Sequence, residues 1–450
     1  MPRLEWPHRR SIRRNSVQPF RIIPSPGTAA PSRPTLNSLV SDRTMPRLLL
    51  LLPAAGYANQ DFIDAAGRLN IELVACADYC HRLAPGWGLP PLMSVPFDQP
   101  DLALPQVLRA LMQPVDAVLA ADDHGMALAA RLREALRLPG NPPEAVAMLT
   151  DKLFFRQLQQ AAGLPHPEFA VVHDDDVNAA PGFPLVVKAR RLNASRGVIR
   201  ADDAVQLARA MKQVQRIQAR VQRDAAALGL LVERFIPGAE IALDGLLSHG
   251  NLRVLAVFDK PDPLDGPFFE ETCFVTPSRL PAVTQRELAD AVGRACAAAG
   301  VTDGVIHAEA RINDAGIWLL EIAPRGIGGL CGRVLAGTHG MTSAEIVLRH
   351  ATGLPLPAQP EQGAAGVMML PIPASGIFHG IDGLDAARCI AHVSGIEITA
   401  HPGQLVAPPP EGGGYLGFIF SRAATPQQAE AALRAAHAAL TVRIQPQVRP

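Results

Sequence analysis

The sequence predicts a protein that combines α/β and α+β parts, with a small parallel α/β layer ahead of two mixed α+β parts. Short apolar strands alternate with helices between residues 45 and 140, and this alternation is typical of a parallel sheet. Strands and helices then follow in mixed order to residue 352, where a proline-rich linker leads into the last part. At 450 residues the chain is longer than one hydrophobic core usually serves, so several domains are expected.

The composition is that of an ordinary soluble protein. Lys and Arg number 42 and so do Asp and Glu, and this balance indicates no nucleic-acid partner. No apolar run approaches the roughly 20 residues that span a bilayer, so we expect no membrane partner and a cytoplasmic location. The six cysteines are scattered, and their spacing indicates neither a disulfide framework nor a zinc site.

Residues 1–44 differ from the rest of the chain. They hold eight arginines against Glu5 and Asp42, with many Pro and Ser residues, which predicts a disordered leader. Two interpretations stay open, a targeting peptide or an upstream start codon, because Met-Pro-Arg recurs at Met45. In either case this leader is not expected to belong to the folded protein, and it could be missing from the mature chain.

The first folded part, residues 45–140, begins with the buried strand Leu48–Leu52 and the helix Asn59–Leu69. Strands Ile71–Ala77 and Val115–Ala120 follow, and a helix begins at His124. In parallel sheets ligands bind at the carboxyl ends of the strands. Asp122 and Asp123 come directly after such a strand, and the run Pro139–Pro143 then predicts a domain boundary.

Residues 141–352 predict a mixed α+β domain, and residues 353–450 predict a C-terminal α+β domain. Strands are expected at Pro184–Ala189 and Leu230–Phe235, with a long helix from Asp202 to Leu228 between them. Thr284 and Thr425 each begin a pattern that is typical of a capping box at a helix start.

Two glutamates predict a metal site. Val305–Ile312 and Ile317–Ala323 read as the strands of a hairpin, and a three-residue loop ending at Gly316 would place Glu309 opposite Glu321. Like charges in facing positions destabilise a hairpin, so a cation between them is expected. Magnesium takes oxygen ligands and combines carboxylates with phosphates. The alternative is that both glutamates lie on a solvated face.

Arg325 and three glycines follow the second glutamate. A guanidinium beside a metal and carboxylate site suits phosphate oxygens, which it can bind with two hydrogen bonds. Gly326, Gly328 and Gly329 allow close approach of backbone to a ligand, although a sharp turn alone would also explain them. This group suggests metal-assisted phosphoryl transfer.

Upstream residues offer cations and a small-residue loop for a nucleotide. Lys188 ends an apolar strand, and the loop Asn193–Gly197 follows, whose backbone amides could cover phosphates. Glu233 and Glu240 flank a turn, where Glu240 could bind ribose hydroxyls and the preceding strand could bind adenine. Each of these patterns is also typical of an ordinary surface turn or hairpin.

Taken in order, Asp151-Lys152, Lys188, the 193–197 loop, Glu233, Glu240, His307-Ala-Glu309 and Glu321 to Arg325 resemble the ATP-grasp superfamily. The resemblance covers the middle of the chain, and residues 45–140 resemble the domain that normally precedes this fold. It implies an ATP-grasp fold at residues 141–352, with a lid at roughly residues 180–235. It also implies ATP with Mg²⁺, or Mn²⁺ instead, and activation of a carboxylate as an acylphosphate that an amine attacks.

The resemblance also assigns roles to residues. Glu309 and Glu321 would bind the metal, and Arg325 and Lys188 would be catalytic. The residues that would contact ATP are Lys152, Lys188, Asn193, Ser195, Arg196, Gly197, Glu233, Phe235, Ile236 and Glu240. One departure is Ala323, which stands where the superfamily commonly has an asparagine as a further metal ligand.

Within the superfamily, the segments 258–272, 321–331 and 417–433 resemble the L-amino-acid ligases, which form dipeptides. The resemblance implies small carboxylate and amine substrates and a homodimer. Candidate substrate contacts are Lys260, Glu271, His307, Gly328, Gly329 and Arg333. A nucleotide-binding protein without ligase activity, or a ligase of the biotin-carboxylase type, are the alternative functions. His307 could be a base or a packed structural histidine.

Overall fold

The computed structural model describes residues 45–54, 56–79, 92–173, 180–222, 224–357 and 363–446. The predicted leader, residues 1–44, lies outside the described residues. Within them the structure confirms the predicted mixture of one parallel sheet with antiparallel sheets. No helix in this part of the chain is long and apolar enough to cross a membrane.

The N-terminal layer is a four-stranded parallel sheet in the order β3-β2-β1-β4. Leu48, Leu50 and Leu52 pack on one face and Leu49 and Leu51 on the other, because neighbouring side chains of a strand point to opposite faces. Helices cover both faces, which explains the uniformly apolar first strand. The elements are β1 (Arg47–Leu52), α1 (Asn59–Arg68), β2 (Glu72–Ala77), β3 (Leu92–Ser94), α2 (Pro100–Ala110), β4 (Ala117–Ala120) and α3 (Met126–Leu136).

A short 3₁₀ turn at Asp123–Gly125 separates β4 from α3, so the helix begins two residues later than the sequence predicts. Asp122 caps this turn by accepting a hydrogen bond from the His124 amide. At the boundary predicted for Pro139–Pro143, the chain is held in place by hydrogen bonds of the Asn141 side chain. Its amide side chain bonds the backbone of Thr302 and Asp303, and so fixes the start of the next part.

A second sheet is antiparallel, in the order β5-β8-β6-β7, and α6 packs on it through an apolar core. The predicted helix from Asp202 to Leu228 is shorter: Asp203 caps its start, and the backbone leaves the helix at Gln222. The elements up to this sheet are α4 (Pro143–Thr150), α5 (Lys152–Ala161), β5 (Phe169–Val172), β6 (Leu185–Lys188), β7 (Val198–Ala201), α6 (Ala204–Val221), α7 (Ala225–Leu228) and β8 (Leu230–Arg234).

The largest sheet has eight strands in the order β13-β12-β9-β10-β11-β14-β18-β16. It takes strands from both sides of residue 352, so the predicted C-terminal domain adds its strands to the sheet of the domain before it. The elements are β9 (Ala239–Ser248), β10 (Asn251–Asp259), β11 (Cys273–Thr276), α8 (Ala282–Ala299), β12 (Gly304–Asn313), β13 (Gly316–Ala323), α9 (Leu335–His339), α10 (Ser343–Ala351), β14 (Ala364–Leu370), β15 (Gly376–Asp382), α11 (Leu384–Arg388), β16 (Val393–Ile398), β17 (Leu405–Val406), β18 (Gly417–Ala423), α12 (Pro426–Ala438) and β19 (Thr441–Pro446).

The two predicted capping boxes differ in outcome. Thr425 caps α12 by accepting a hydrogen bond from the Gln428 amide, as predicted. The prediction at Thr284 is wrong, since α8 begins at Ala282 behind Pro281 and Thr284 lies inside the helix. Proline fixes its own φ for the turn into a helix, so the chain starts the helix without a hydroxyl cap.

Candidate active site

A cavity of about 1080 Å³ lies between the N-terminal layer, the β5-β8-β6-β7 sheet and the eight-stranded sheet. Nearly all of the residues predicted for the site line it. Gly197, Lys260 and Arg333 are not among the lining residues. Side chains that the sequence did not single out also line it, including Tyr57, Phe274, Met369 and Tyr415.

The predicted facing of Glu309 and Glu321 is confirmed, but it arises differently. Asn313 pairs with Gly316, so the hairpin loop has two residues rather than three. The register then shifts at a β-bulge, where Leu320 is the extra residue, and this brings Glu309 opposite Glu321. The prediction that Arg311 faces Leu319 is wrong, because Arg311 faces Trp318. Both glutamates line the cavity.

Glu309 is held by two cations from the same sheet. Its Oε1 lies 3.4 Å from Lys260 Nζ and 3.5 Å from His307 Nε2. Burial raises the pKa of Glu309, but the charges of Lys260 and His307 outweigh burial and hold this pKa well below its usual range. The carboxylate is therefore ionised, which is the form that binds a metal.

His307 is a protonated side chain in this environment. Its Nδ1 lies 2.7 Å from Asp244 Oδ1, and the other Asp244 oxygen accepts from the Ile327 amide. Burial lowers the pKa of His307, but the hydrogen bonds and charges of Asp244 and Glu309 raise it to about 9. A histidine that keeps its proton at neutral pH supports the packed structural role over the role of a base.

Three carboxylates, Glu240, Glu271 and Glu309, converge closely enough to suggest a metal ion. Lys260 already supplies the charge there: its Nζ lies 2.8 Å from Glu240 and also contacts Glu271 and Glu309. Burial and the negative charge of Glu309 raise the pKa of Glu271 to about 8. The sequence suggested that Lys260 binds a substrate carboxylate. In the structure its ammonium group is instead paired with these three acids.

Glu240 also differs from its predicted role. Its second oxygen accepts a hydrogen bond from Arg311 Nε at 3.0 Å, so two cations occupy the carboxylate that was expected to bind ribose. Arg311 in turn donates to the carbonyl of Ile236 and stacks over the rings of Phe235 and Phe269. Glu240 thus orients the residues that form the wall of the cavity.

Glu233 lines the cavity but is almost fully buried, with 2% of its side chain exposed. It accepts two hydrogen bonds from Arg156, at 2.8 and 3.1 Å, and contacts Lys188. Burial raises its pKa, but Arg156 and Lys188 lower it to about 2. The Glu233 carboxylate is thus bound by Arg156 and Lys188. The neighbouring Phe235 and Ile236 also line the cavity.

Lys152 and Lys188 approach the cavity from different elements. Lys152, at the start of α5, donates to the Leu192 carbonyl at 2.6 Å and lies 3.3 Å from Glu321 Oε2. Lys188 ends β6 beside Glu233. Burial lowers the pKa of Lys188, and the charge of Glu233 counteracts this effect. Within the same cavity, Lys152 therefore lies beside Glu321, and Lys188 lies beside Glu233.

The loop Asn193–Gly197, which we call the phosphate loop, has an unusual backbone. Ala194 and Ser195 have φ values of 51° and 52°, and Gly197 has 67°. Such values cost energy in residues other than glycine, and they concentrate at functional sites. The Arg196 Nε in this loop is buried without a hydrogen-bond partner among the described residues, so the loop holds an unsatisfied donor beside the cavity.

Arg325 lies near the start of the phosphate loop, because Arg325 and Asn193 both bind Asp123. Its Nε and one terminal nitrogen both donate to Asp123, each at 2.7 Å, and the other terminal nitrogen donates to the Gly326 carbonyl. Burial lowers the pKa of Arg325, but the charge and hydrogen bonds of Asp123, together with the charges of Glu321 and Asp122, raise it above its usual value, so the guanidinium stays charged. The Asp123 contact was not predicted, since 202 residues separate the two in sequence.

The glycines after Arg325 line the cavity at Gly328 and Gly329. Gly329 has a φ of 64°, and a side chain there would lie 3.0 Å from the Phe418 ring. Arg333 does not reach this surface. Its guanidinium binds Asp61 of α1 at 2.7 Å and also contacts Glu397 of β16, so the structure contradicts the predicted substrate role.

Comparison with known proteins agrees with this geometry. The family model of the ATP-grasp domain matches residues 181–334, and the model of L-amino acid ligase C-terminal domain 2 matches residues 368–445. Carnosine synthase 1 of Gallus gallus is 34% identical over 286 residues, which is 59% of this chain and 30% of that protein. D-alanine–D-alanine ligase of Synechococcus sp. (strain JA-3-3Ab) is 29% identical over 205 residues, 42% of this chain and 59% of that protein.

The chain thus spans less than two thirds of the length of these curated relatives. Among solved structures, an L-amino acid ligase from Bacillus licheniformis is 25% identical with a TM-score of 0.75, over 89% of this chain and 99% of that one. A biotin carboxylase from Campylobacter jejuni is 15% identical with a TM-score of 0.65, over 89% of this chain and 92% of that one. The fold is the ATP-grasp fold, and the second likeness concerns the fold alone.

Proposed function

Because the chain contains an ATP-grasp domain joined to a domain of the L-amino acid ligase C-terminal type, we propose that it is an ATP-dependent carboxylate–amine ligase. It joins two amino acids, or a small carboxylic acid and an amino acid, through an amide bond. The carboxylate is first converted to an acylphosphate, and the products are the amide, ADP and phosphate.

The observation that carries this proposal is the pairing of Glu309 with Glu321 in the wall of the cavity. Lys152 contacts Glu321, and Arg325 lies close enough for the charge of Glu321 to raise its pKa. Two carboxylates between cations form a site for an ion that itself binds phosphate. Phosphoryl transfer depends mainly on such positioning and charge stabilisation.

The donor set fits Mg²⁺, or Mn²⁺ in its place, because ionised carboxylate oxygens are the ligands these ions prefer. Glu309 and Glu321 would hold the ion, which would neutralise charge on the phosphates. Ala323 offers no side-chain ligand, so these two carboxylates are the ligands that the protein would supply. The buried group around Lys260 does not need an ion.

Binding of ATP uses the wall that Phe235 and Ile236 form and the cations around it. Together Phe235 and Ile236 give this wall an apolar surface against which the adenine ring packs. Lys152, Lys188 and the phosphate loop neutralise the phosphates, with Arg196 Nε as a donor that has no partner in the described residues. Glu233 holds Lys188 in position through an ion pair, and Glu240 holds Arg311 in the same way.

In the first step, an oxygen of the substrate carboxylate attacks the γ-phosphorus, and the bond to the β-phosphate oxygen breaks to leave ADP. Arg325 donates hydrogen bonds to the oxygens on which negative charge increases. In the second step, an unprotonated amine attacks the carbonyl carbon, phosphate leaves, and the amine releases a proton. Closure of the phosphate loop over the cavity would exclude water, which would otherwise hydrolyse the acylphosphate.

We assign the substrate end of the cavity to four of its lining residues, Glu271, His307, Gly328 and Gly329. Glu271 is the acid that we assign to a substrate ammonium, because a second positive charge beside Lys260 would lower its raised pKa and favour the ionised form. The backbone at Gly328 and Gly329 allows a substrate to approach closely. We also propose a homodimer by resemblance to the family, and a cytoplasmic location, where ATP and free amino acids occur together.

The test is incubation with ATP, Mg²⁺ and pools of amino acids, followed by nucleotide analysis and mass spectrometry of the products. We expect ADP and phosphate to appear only when suitable amino acids are present, together with an amide of matching mass. Release of AMP and pyrophosphate would contradict the acylphosphate route.

A nucleotide-binding protein without ligase activity is the second candidate, and Ala323 is the observation that favours it. In that case ATP binds, as measured by calorimetry, but no amino acid pool stimulates ADP release. Turnover that depends on biotin and bicarbonate would instead indicate a ligase of the biotin-carboxylase type.

A further inference from the structure

Asp123 stands where three parts of the chain meet. It is the first residue of the 3₁₀ turn after β4, and Asp122 fixes this turn by capping it. The parallel sheet therefore presents the Asp123 carboxylate at the carboxyl end of a strand, on the cavity wall. Its side chain contacts Arg325, which lies just after β13 of the largest sheet, and Asn193 of the phosphate loop.

The contact with Arg325 uses one edge of the guanidinium. Asp123 accepts from Nε through Oδ1 and from a terminal nitrogen through Oδ2, each at 2.7 Å. A third hydrogen bond goes to the Gly326 carbonyl. A guanidinium has five N–H groups, so two remain for another acceptor. Asp123 thus fixes the plane of Arg325 and leaves donors for a phosphate oxygen.

The contact with Asn193 uses the same carboxylate. The side-chain nitrogen of Asn193 donates to Asp123 Oδ2 at 2.7 Å, and this oxygen also accepts a hydrogen bond from Arg325. The far end of the phosphate loop is held separately, because the Gly197 amide donates to the Pro410 carbonyl at 3.3 Å. The loop is therefore attached to the N-terminal layer at one end and to the C-terminal part at the other.

We propose that Asp123 is a positioning residue for phosphoryl transfer, which couples closure of the phosphate loop to the orientation of Arg325. The inference rests on the proposed function and deepens it. When the Asn193 side chain donates a hydrogen bond to Asp123 Oδ2, it binds an oxygen that already accepts a hydrogen bond from Arg325. Ordering of the loop and ordering of the arginine then become a single event.

The charge of Asp123 suits this role. Burial raises its pKa, but the charge and hydrogen bonds of Arg325, together with the bond from Asn193, lower it to about 2. The carboxylate is therefore ionised wherever the protein is folded near neutral pH. Hydrogen bonds that involve charged groups are shorter and stronger than neutral ones, so this three-residue contact holds its geometry.

A double-mutant cycle tests the coupling. We expect Asp123→Ala to lower kcat about 100-fold with less than about a fivefold change in the KM for ATP, because misplacement of a catalytic group by about 1 Å has effects of this size. Asn193→Ala should lower kcat about tenfold. In the Asp123→Ala background, the Asn193 change should add less than about a twofold effect.

Two further variants control the cycle. Asp123→Asn keeps the size and one acceptor, so an intermediate loss is expected, and it replaces Asp123→Ala if that variant does not fold. Asp101→Asn breaks an exposed ion pair with Arg131 in the same layer and should leave kcat unchanged. Equal effects of Asn193→Ala in both backgrounds, or near-normal kcat in folded Asp123→Ala, would overturn the proposal.

A second measurement does not depend on turnover. Hydrogen exchange of residues 190–198 is followed in the protein with ADP and Mg²⁺. Both single variants should increase exchange in this segment, and the double variant should match Asp123→Ala. If the variants show the expected exchange pattern but the wild type forms no ligase product, the proposed function is rejected and the coupling stands. If exchange is unchanged in Asp123→Ala, the coupling is rejected and the proposed function stands.

Discussion

Glu309 and Glu321 occupy facing positions on β12 and β13 only because Leu320 bulges out of the second strand. Without this extra residue, the observed two-residue loop would put Leu320 opposite Glu309. The bulge therefore sets which side chain completes the carboxylate pair. Bulges often occur next to active sites because they redirect side chains in this way.

Glu321→Gln should lower turnover at least about 100-fold, because an amide of the same size lacks the charge that holds the ion. ADP release is measured against Mg²⁺ concentration, and circular dichroism checks the fold. Asp314→Asn, in the exposed loop of the same hairpin, is the control and should leave the rate unchanged. A near-normal rate for Glu321→Gln would remove the metal assignment.

Arg325→Ala should lower kcat by about 100- to 1000-fold, because a donor to the developing charge is lost. The variant also leaves Asp123 without its main partner, so its thermal stability is measured alongside its rate. Product formation is followed by mass spectrometry with ATP in excess. If only the KM for ATP rises while kcat stays normal, Arg325 acts in binding and not in transfer.

Ala323→Asn should tighten Mn²⁺ binding several-fold, because an amide oxygen adds a ligand beside Glu321. Electron paramagnetic resonance counts bound Mn²⁺ in the presence of ADP, which gives a result independent of activity. Ala323→Leu, which adds bulk without a ligand, is the matched control. Identical Mn²⁺ binding in the wild type and the asparagine variant would show that residue 323 does not face the ion.

Stability at acid pH should depend on Glu233. Its folded pKa of about 2 lies below its ordinary value of 4.5, so its stabilisation is complete above pH 4.5 and is lost as pH falls towards 2. Glu233→Gln should destabilise the protein by about 3 kcal/mol at pH 5, since Arg156 and Lys188 lose their counter-charge. Urea unfolding should show this difference narrowing by about 2 kcal/mol between pH 5 and pH 3. Parallel curves for the two proteins would contradict the buried pairing.

Arg333→Met should lower the melting temperature without changing the KM of either amino acid, because Arg333 links Asp61 to Glu397 outside the cavity. Asp61→Asn removes the main partner and should reproduce the same loss of stability. A tenfold rise in KM for one substrate in Arg333→Met, but not in Asp61→Asn, would restore the role that the sequence suggested.

The sequence was informative wherever chemistry depends on local spacing. The strand ends that carry Lys188 and Glu321, and the loop Asn193–Gly197, could be placed because apolar runs and small residues mark them directly. The facing of Glu309 and Glu321 was predicted correctly from an incorrect loop, since a bulge offset a one-residue error in the turn. Neither the turn type nor the bulge has a reliable pattern in so short a segment.

Contacts between distant segments could not be predicted. Lys260 and Arg333 resemble exposed cations in the sequence, but Glu240, Glu271 and Asp61 bind them after folding. Asp123 follows a strand, as many surface acids do, and only the fold brings it to Arg325. These errors share a cause, because a charged side chain near a cavity binds whichever opposite charge the packing supplies.

The eight-stranded sheet bears on how such enzymes can be recombined. Strand β11, before residue 352, pairs along its whole length with β14, which comes after that residue. A chimera that joins two relatives at the proline-rich linker would therefore create a new strand interface, with four backbone pairings between foreign partners. An exchange of C-terminal segments between two relatives should transfer substrate preference only when β11 and β14 come from the same protein.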